Sequence, residues 1–282
     1  MPKPNRGGQR TPTQLNPPPN IPPLNTFNPG QVAAQPPQQP LTPNQERRID
    51  DQNEWANITD TEARILRRSM GQTGDEAGRV RQYMGDNGTT YVTTSKSYLV
   101  NNALNSDMQS LTNGYMGDTG NAWHWINHYG YNMNTAKNAV RSIDNGMKPL
   151  SKDINVVRYE NEFSPKTIAN GKYTLAQLRK MTNAELQQAL VGEYRDTKSY
   201  LSTSWRMDKT AQRDRQYMAS PVRIEYTVRK GTQAVVTNNM TEHEILVGRG
   251  YRQQIFGARK DGNQIVIQME ITPTKRPAYY KV

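Results

Sequence analysis

An α+β fold with its helices first and its strands last is what the sequence predicts, and three observations predict it. Apolar residues recur at helical spacing between residues 46 and 144. Short β-branched and aromatic runs dominate after Pro149. Alternating strand–helix–strand units are missing, which points to an antiparallel or mixed sheet rather than a parallel one.

Residues 46–69 set Trp55, Ile58, Ala63, Ile65 and Leu66 among charges, with Thr59 or Asp60 as an N-cap, so this stretch reads as helix. A second helix is expected from Asp75 to Gly85, a third over about 94–104, with Tyr98, Leu99 and Leu104 on one side, and another over 134–144, ended by Asn145-Gly146. Residues 105–133 are rich in Gly, Asn and aromatics and give no clear period. Beyond Pro149, 155–163 suits a strand and 174–190 a helix. Strands are then expected at 199–205, 222–228, 233–237, 243–247, 253–259 and 263–271.

Composition bounds the remainder. Of 18 prolines, 13 lie in residues 1–45, together with seven glutamines, one aromatic (Phe27) and three charges, all basic. Such a segment lacks the apolar surface that offsets chain ordering, so it is expected to be a disordered leader before a domain spanning 46–282, helical to about 150 and sheet-rich from about 151. Those 237 residues suffice for one core. The chain has no cysteine, which excludes thiol nucleophiles, Cys-ligated zinc and iron–sulfur centres. No apolar run approaches the ~18–20 residues of a membrane span, and MPKPNRGGQR has no apolar core like that of a secretory signal. The net charge of +11 favours an anionic partner, but the bases are scattered, so nucleic-acid contact is expected to be nonspecific at most.

Phosphate loops of the G-x-x-x-x-G-K-[ST] or G-x-G-x-x-G kind are absent. His124 and His128 have helical i, i+4 spacing but lack a third ligand nearby, so no metal is expected. Glu-x-Glu occurs twice, at Glu160/Glu162 and Glu242/Glu244; on a strand, residues two apart share a face, and the ordinary role of such a pair is a solvated face. The second pair leads directly into Ile245-Leu246-Val247, which would anchor it on a buried strand. Ser202-Thr203-Ser204 alternates its serines to one face and its threonine to the other. Arg158 follows Val156-Val157, where a guanidinium can grip a phosphate through two parallel hydrogen bonds.

The order and spacing of these elements, an arginine on a strand, then Ser202-Thr203-Ser204, then Glu242-x-Glu244, resemble the R-S-E signature of mono-ADP-ribosyltransferases. Within that family the chain resembles the arginine-modifying group that includes the enzymatic components of clostridial binary toxins and some phage-encoded transferases. The flanks are similar too: KGTQAVV (230–236), EHEILVGRGYRQQIFG (242–257), GEYRDTKSYLSTSW (192–205) and, upstream, RVRQYMGDNGTTYVTTSKSYLVNNAL (79–104) with its Val100-Asn101 pair. The chain departs from the pattern after Arg158, where Tyr159-Glu160 stands in place of a glycine common in relatives.

The resemblance implies an ADP-ribosyltransferase-like fold of N-terminal helices packed on two mainly antiparallel sheets, with NAD as co-substrate. It implies that Arg158 holds the NAD phosphates, that Ser202, Thr203 and Ser204 line the site, that Ser202 orients Glu244, and that Glu244 stabilises the developing positive charge. Glu242 would hold and help deprotonate a target guanidinium. Phe163 and Tyr83 are both candidates for stacking on nicotinamide, and Arg213 or Arg215 for a second phosphate contact. The partner implied is a host protein with an exposed arginine, met in a host cytoplasm by a chain carried in a phage virion or delivered as a bacterial effector. The alternatives are an NAD glycohydrolase working in the same site and a non-enzymatic basic virion or nucleic-acid-associated protein.

Overall fold

The computed structural model describes residues 41–56, 58–84, 133–160, 172–196, 199–208, 219–237 and 243–275. The leader up to residue 40, the helix expected at 94–104 and almost all of the segment 105–133 lie outside the described residues.

The chain enters through α1 (Pro43–Ala56), α2 (Asp60–Ser69) and α3 (Gly74–Met84), followed by α4 (Met133–Gly146). The stretch expected to be helical from 46 to 69 is two helices, because Thr59 is extended (φ −82°, ψ 163°) to form a capping box. Its hydroxyl accepts from the Glu62 N–H, and the Glu62 carboxylate accepts from the Thr59 N–H at 2.7 Å. The same device divides the helix expected at 174–190. Thr174 caps α5 (Leu175–Lys180), and Thr182, with Glu185 three residues on, caps α6 (Asn183–Leu190).

Among the described residues nine strands follow the sequence in order: β1 (Lys148–Pro149), β2 (Ile154–Glu160), β3 (Tyr194–Asp196), β4 (Leu201–Ser204), β5 (Val222–Val228), β6 (Gln233–Val236), β7 (Glu244–Val247), β8 (Tyr251–Asp261) and β9 (Gln264–Lys275). The short β1 and β3 carry no run long enough to have been expected. β8 and β9 outrun their expected lengths because they pair antiparallel down to Asp261↔Gln264, a hairpin turned by Gly262 at φ +59°.

The strands form one hydrogen-bonded order, β1-β6-β7-β4-β2-β5-β9-β8-β3, with a single parallel pair, β5 with β9. The expected two sheets appear as its two halves. β1-β6-β7-β4 meets β2-β5-β9-β8-β3 at one register pair only, Val157↔Ser204. The main core takes apolar residues from both halves, among them Val156, Tyr226 and Ile267 from one and Leu201, Val236 and Ile245 from the other. α2 adds Ala63 and Leu66 to it, and α5 and α6 add Leu178, Leu186 and Leu190.

Each half also carries helices on its opposite face. α3 and α4 bring Ala77, Val80, Val140 and Ile143 against Tyr200, Val235 and Leu246. α1 brings Ile49 to Met207 and Tyr159, and Asn155 Nδ2 donates to the Trp55 carbonyl at 3.1 Å. α4 approaches α3 so closely that a Cβ on Gly146 would overlap Val80. No helix among the described residues is long and apolar enough to cross a membrane.

Asp144 of α4 fastens that helix to the sheet. It accepts from Tyr200 Oη at 2.6 Å and from buried Arg249 Nη2 at 2.7 Å. Asp144→Ala leaves both buried donors without this acceptor, so urea denaturation should show a loss of about 2 kcal/mol.

Candidate active site

β4 and β7 pair antiparallel, Ser202 opposite Leu246 and Ser204 opposite Glu244. Glu244 is therefore the diagonal neighbour of Ser202 on the same face. The Ser202 hydroxyl donates to Glu244 Oε1 at 2.6 Å. Three residues taken from the sequence as a set converge here, since Arg158 Nη1 also donates to the Ser202 backbone carbonyl at 2.9 Å.

The other two members of the triplet do different work. Thr203 points to the main core, 4% exposed, and its hydroxyl donates to the Ile245 carbonyl at 2.6 Å. That orientation removes Thr203 from the residues able to touch a ligand and makes it a strand fastener. Ser204 shares the Ser202 face and donates to the Arg206 carbonyl at 2.6 Å, shaping the exit from β4.

Arg158 is held from a second side. Its Nε donates to Glu160 Oε1 at 3.2 Å, and the same oxygen accepts from Arg195 Nη1 at 2.8 Å. Arg195, on β3, is buried and also bonds Tyr226 and Gln253. Burial pulls the Glu160 carboxyl upward, but the Arg195 and Arg158 charges outweigh it and hold the group below its ordinary range. Burial likewise pushes the Tyr226 phenol up to about 12, which keeps it a neutral donor to Gln253 at 2.8 Å. The Arg158 side chain remains 35% exposed, with no bond from Nη2 among the described residues.

In Glu242-x-Glu244, β7 does not extend back through the residue between the two glutamates. His243 between them has φ +46°, a left-handed conformation that interrupts strand alternation, and β7 begins only at Glu244. The His243 ring packs edge-on to Trp205, with centroids 5.5 Å apart. Glu242, Glu162, Phe163, Arg213, Arg215, His124, His128 and the Val100-Asn101 pair lie outside the described residues, and Tyr83 lies in α3 with its side chain outside them. Sequence reasoning missed Arg195, which no local pattern marks, and did not see Glu160 as the partner of Arg158.

Fold and cluster together define an α+β protein in which one guanidinium and one hydrogen-bonded carboxylate meet at Ser202. The chain belongs to the ADP-ribosyltransferase exoenzyme family, whose model matches residues 53–274. It is an NAD-dependent ADP-ribosyltransferase. Comparison with curated protein sequences gives no match. Among solved structures it is similar to Plx2a, an ADP-ribosyltransferase toxin from Paenibacillus larvae, at 15% identity and TM-score 0.44, covering 80% of this chain and 96% of that one. It is also similar to the Clostridium limosum C3 exoenzyme, at 16% identity and TM-score 0.46, covering 79% of this chain and 94% of that one. A third is C3stau2 from S. aureus with NAD, at 15% identity and TM-score 0.44, covering 81% and 96%.

Glu160 sets a test on stability. Because its folded pKa is depressed, its contribution is present above its ordinary value of 4.5 and is lost as pH falls through the lower folded value. Glu160→Gln leaves Arg195 buried without its carboxylate and should cost about 3 kcal/mol at pH 7. The loss should shrink as pH falls below 4.5, read by urea denaturation across pH 3–7.

Proposed function

We propose that the chain moves ADP-ribose from NAD to arginine side chains of a target protein and releases nicotinamide, with Arg158, Ser202 and Glu244 as the working residues. The observation that carries this reading is the 2.6 Å hydrogen bond from Ser202 to Glu244, formed beside the Arg158 guanidinium. The cluster suits such a ligand, because Arg158 keeps an exposed edge and uses only Nε and Nη1 on described protein partners.

NAD supplies an ADP-ribosyl group whose bond to nicotinamide breaks as positive charge develops at the ribose anomeric carbon. Glu244 meets that charge with its own and accepts from the ribose 2′-hydroxyl. Ser202 fixes the Glu244 carboxylate in one orientation, so no reorganisation is needed when the charge appears. Arg158 binds phosphate with its remaining donors, and Glu160 and the Ser202 carbonyl keep the fork from swinging away. Glu242 holds the target guanidinium and receives the proton that leaves its nitrogen as the new bond to the anomeric carbon forms. A guanidinium is protonated throughout the physiological range and is a poor nucleophile without such a base. Glutamate at 242, where relatives that modify other residues carry glutamine, supports arginine as acceptor.

Residues 1–45 act as a delivery or tethering leader to the catalytic domain, 46–282, and the target lies in a host cell. The reading predicts label transfer from NAD to agmatine and to proteins of a host lysate, with modified arginines identified by mass spectrometry. Glu244→Gln should lower transfer by about 10²–10³-fold, and Ser202→Ala by about tenfold, the worth of one oriented hydrogen bond. Full-rate transfer by Glu244→Gln overturns the assignment. Release of free ADP-ribose with no arginine modified would make water the acceptor instead.

A further inference from the structure

We propose that Asn53 of α1 is a positioning residue for the site, splinting the two half-sheets across the single rung beside which Arg158 meets Ser202. This deepens the function proposed above and rests on it. β2 and β4 share one register pair, Val157↔Ser204, and Arg158 Nη1 reaches the Ser202 carbonyl next to it at 2.9 Å. One rung resists sliding and twisting less than a ladder does, because each further pair adds directed bonds. The main core packs both halves from one side, but apolar packing is non-directional. Directed bonds on the other side of the rung come from α1.

Alternation along β2 sends Ile154 and Val156 to the main core and Asn155, Val157 and Tyr159 to the opposite face. α1 holds both residues that flank Val157 on that face. Asn155 Nδ2 donates to the Trp55 carbonyl at 3.1 Å, and the Tyr159 hydroxyl donates to Gln52 Oε1. A third bond to the same half runs from Arg47 Nη2 to Asp261 Oδ1 at 2.6 Å, at the end of β8. Asn53 grips the chain leaving β4. Its Nδ2 donates to the Met207 carbonyl at 3.1 Å and its Oδ1 accepts from the Met207 N–H at 2.9 Å, so one amide takes both backbone groups of that residue. The Met207 side chain is buried and packs with Ile49 and Tyr159. Trp205, by contrast, bonds Asp60 of α2 through Nε1 at 3.1 Å, and α2 lies against β6. Asparagine is a poor helix former, and the paired bond to Met207 gives it a tertiary reason to stand in α1.

The working groups are divided between the halves. Arg158, the phosphate donor, lies on β2, while Ser202 and Glu244 lie on β4 and β7. NAD has to meet both halves at once. ADP needs the phosphate grip alone, and Arg158 keeps its bond to Glu160 within its own half. Loosening Asn53 should therefore weaken NAD and spare ADP. A general loss of structure would weaken the two ligands in step.

The test measures the Kd of NAD and of ADP by calorimetry, without acceptor, for two variants. Asn53→Ala loses both bonds to Met207, and Asn53→Asp keeps an acceptor for the Met207 N–H and loses the donor. We expect Asn53→Ala to raise the Kd of NAD by about fivefold or more and to leave that of ADP within about twofold. Asn53→Asp should raise the Kd of NAD by a smaller factor, and it carries the test alone if Asn53→Ala fails to fold. An unchanged Kd for NAD, or NAD and ADP weakening in step, overturns the proposal. Arg158→Ala, measured alongside, should weaken both ligands. If it leaves ADP unaffected, or if the unsubstituted chain does not bind NAD, the site assignment beneath fails and the proposal with it.

Discussion

Everything at the site depends on the single rung where the two half-sheets touch, Val157 opposite Ser204. A sheet that continued to pair past this point would place β2 and β4 side by side along their length and bury the residues after Val157. With one rung only, the ladder between β2 and β4 stops at this pair. The polar groups left off the ladder must find other partners. Arg158, the next residue after the rung, reaches across to the Ser202 carbonyl, and Ser202 turns its hydroxyl to Glu244 on the far strand. The junction thus brings three side chains together.

Arginine–carboxylate pairs mark the places where helices or edge strands join this frame. Asp144 of α4 takes Arg249 from the turn after β7, and Asp261 at the end of β8 takes Arg47 and Arg48 of α1. Glu225, 1% exposed on β5, differs in that its partners lie within the sheet, Arg223 on its own strand, Arg259 on β8 and Gln268 on β9. Glu160 at the end of β2 takes Arg195 from the edge strand β3. Desolvation offsets much of the attraction in such pairs, so their net effect on stability is modest while both partners are present. Their geometry is another matter: each guanidinium accepts few orientations, so each pair restricts how a helix or edge strand can lie on the sheet.

Much of the fold was readable because local signals and tertiary packing agree. β5 was expected at 222–228 and spans those residues, since its alternation is uninterrupted and its apolar positions enter the core. The helix breaks at Thr59 and Thr182 were written as Thr-x-x-Glu, but continuous helical spacing across them hid the interruption, and only the first was taken as an N-cap. At the site, Arg158, Ser202 and Glu244 could be found because their order and residue types form a pattern. Arg195 could not be found, because its meaning arises from β3 lying at the sheet edge against β8, and a three-residue strand has no signature. The left-handed turn at His243 was hidden for a related reason. No turn motif marks it in the sequence, and the backbone bond beside it, from the Trp205 N–H to the His243 carbonyl, comes from a strand remote in sequence.

Among the described residues of the cluster the charge of +11 leaves no surplus. Arg158 and Arg195 stand with Glu160 and Glu244, two positive charges and two negative ones. A dinucleotide held by these four residues would depend less on their net charge than on the directed donors of the Arg158 guanidinium. Such recognition falls off steeply with misalignment, far more so than attraction to a diffuse basic patch. Arg158 is held from two sides, by Glu160 and by the Ser202 carbonyl, and this double hold fixes the direction in which its remaining donors point.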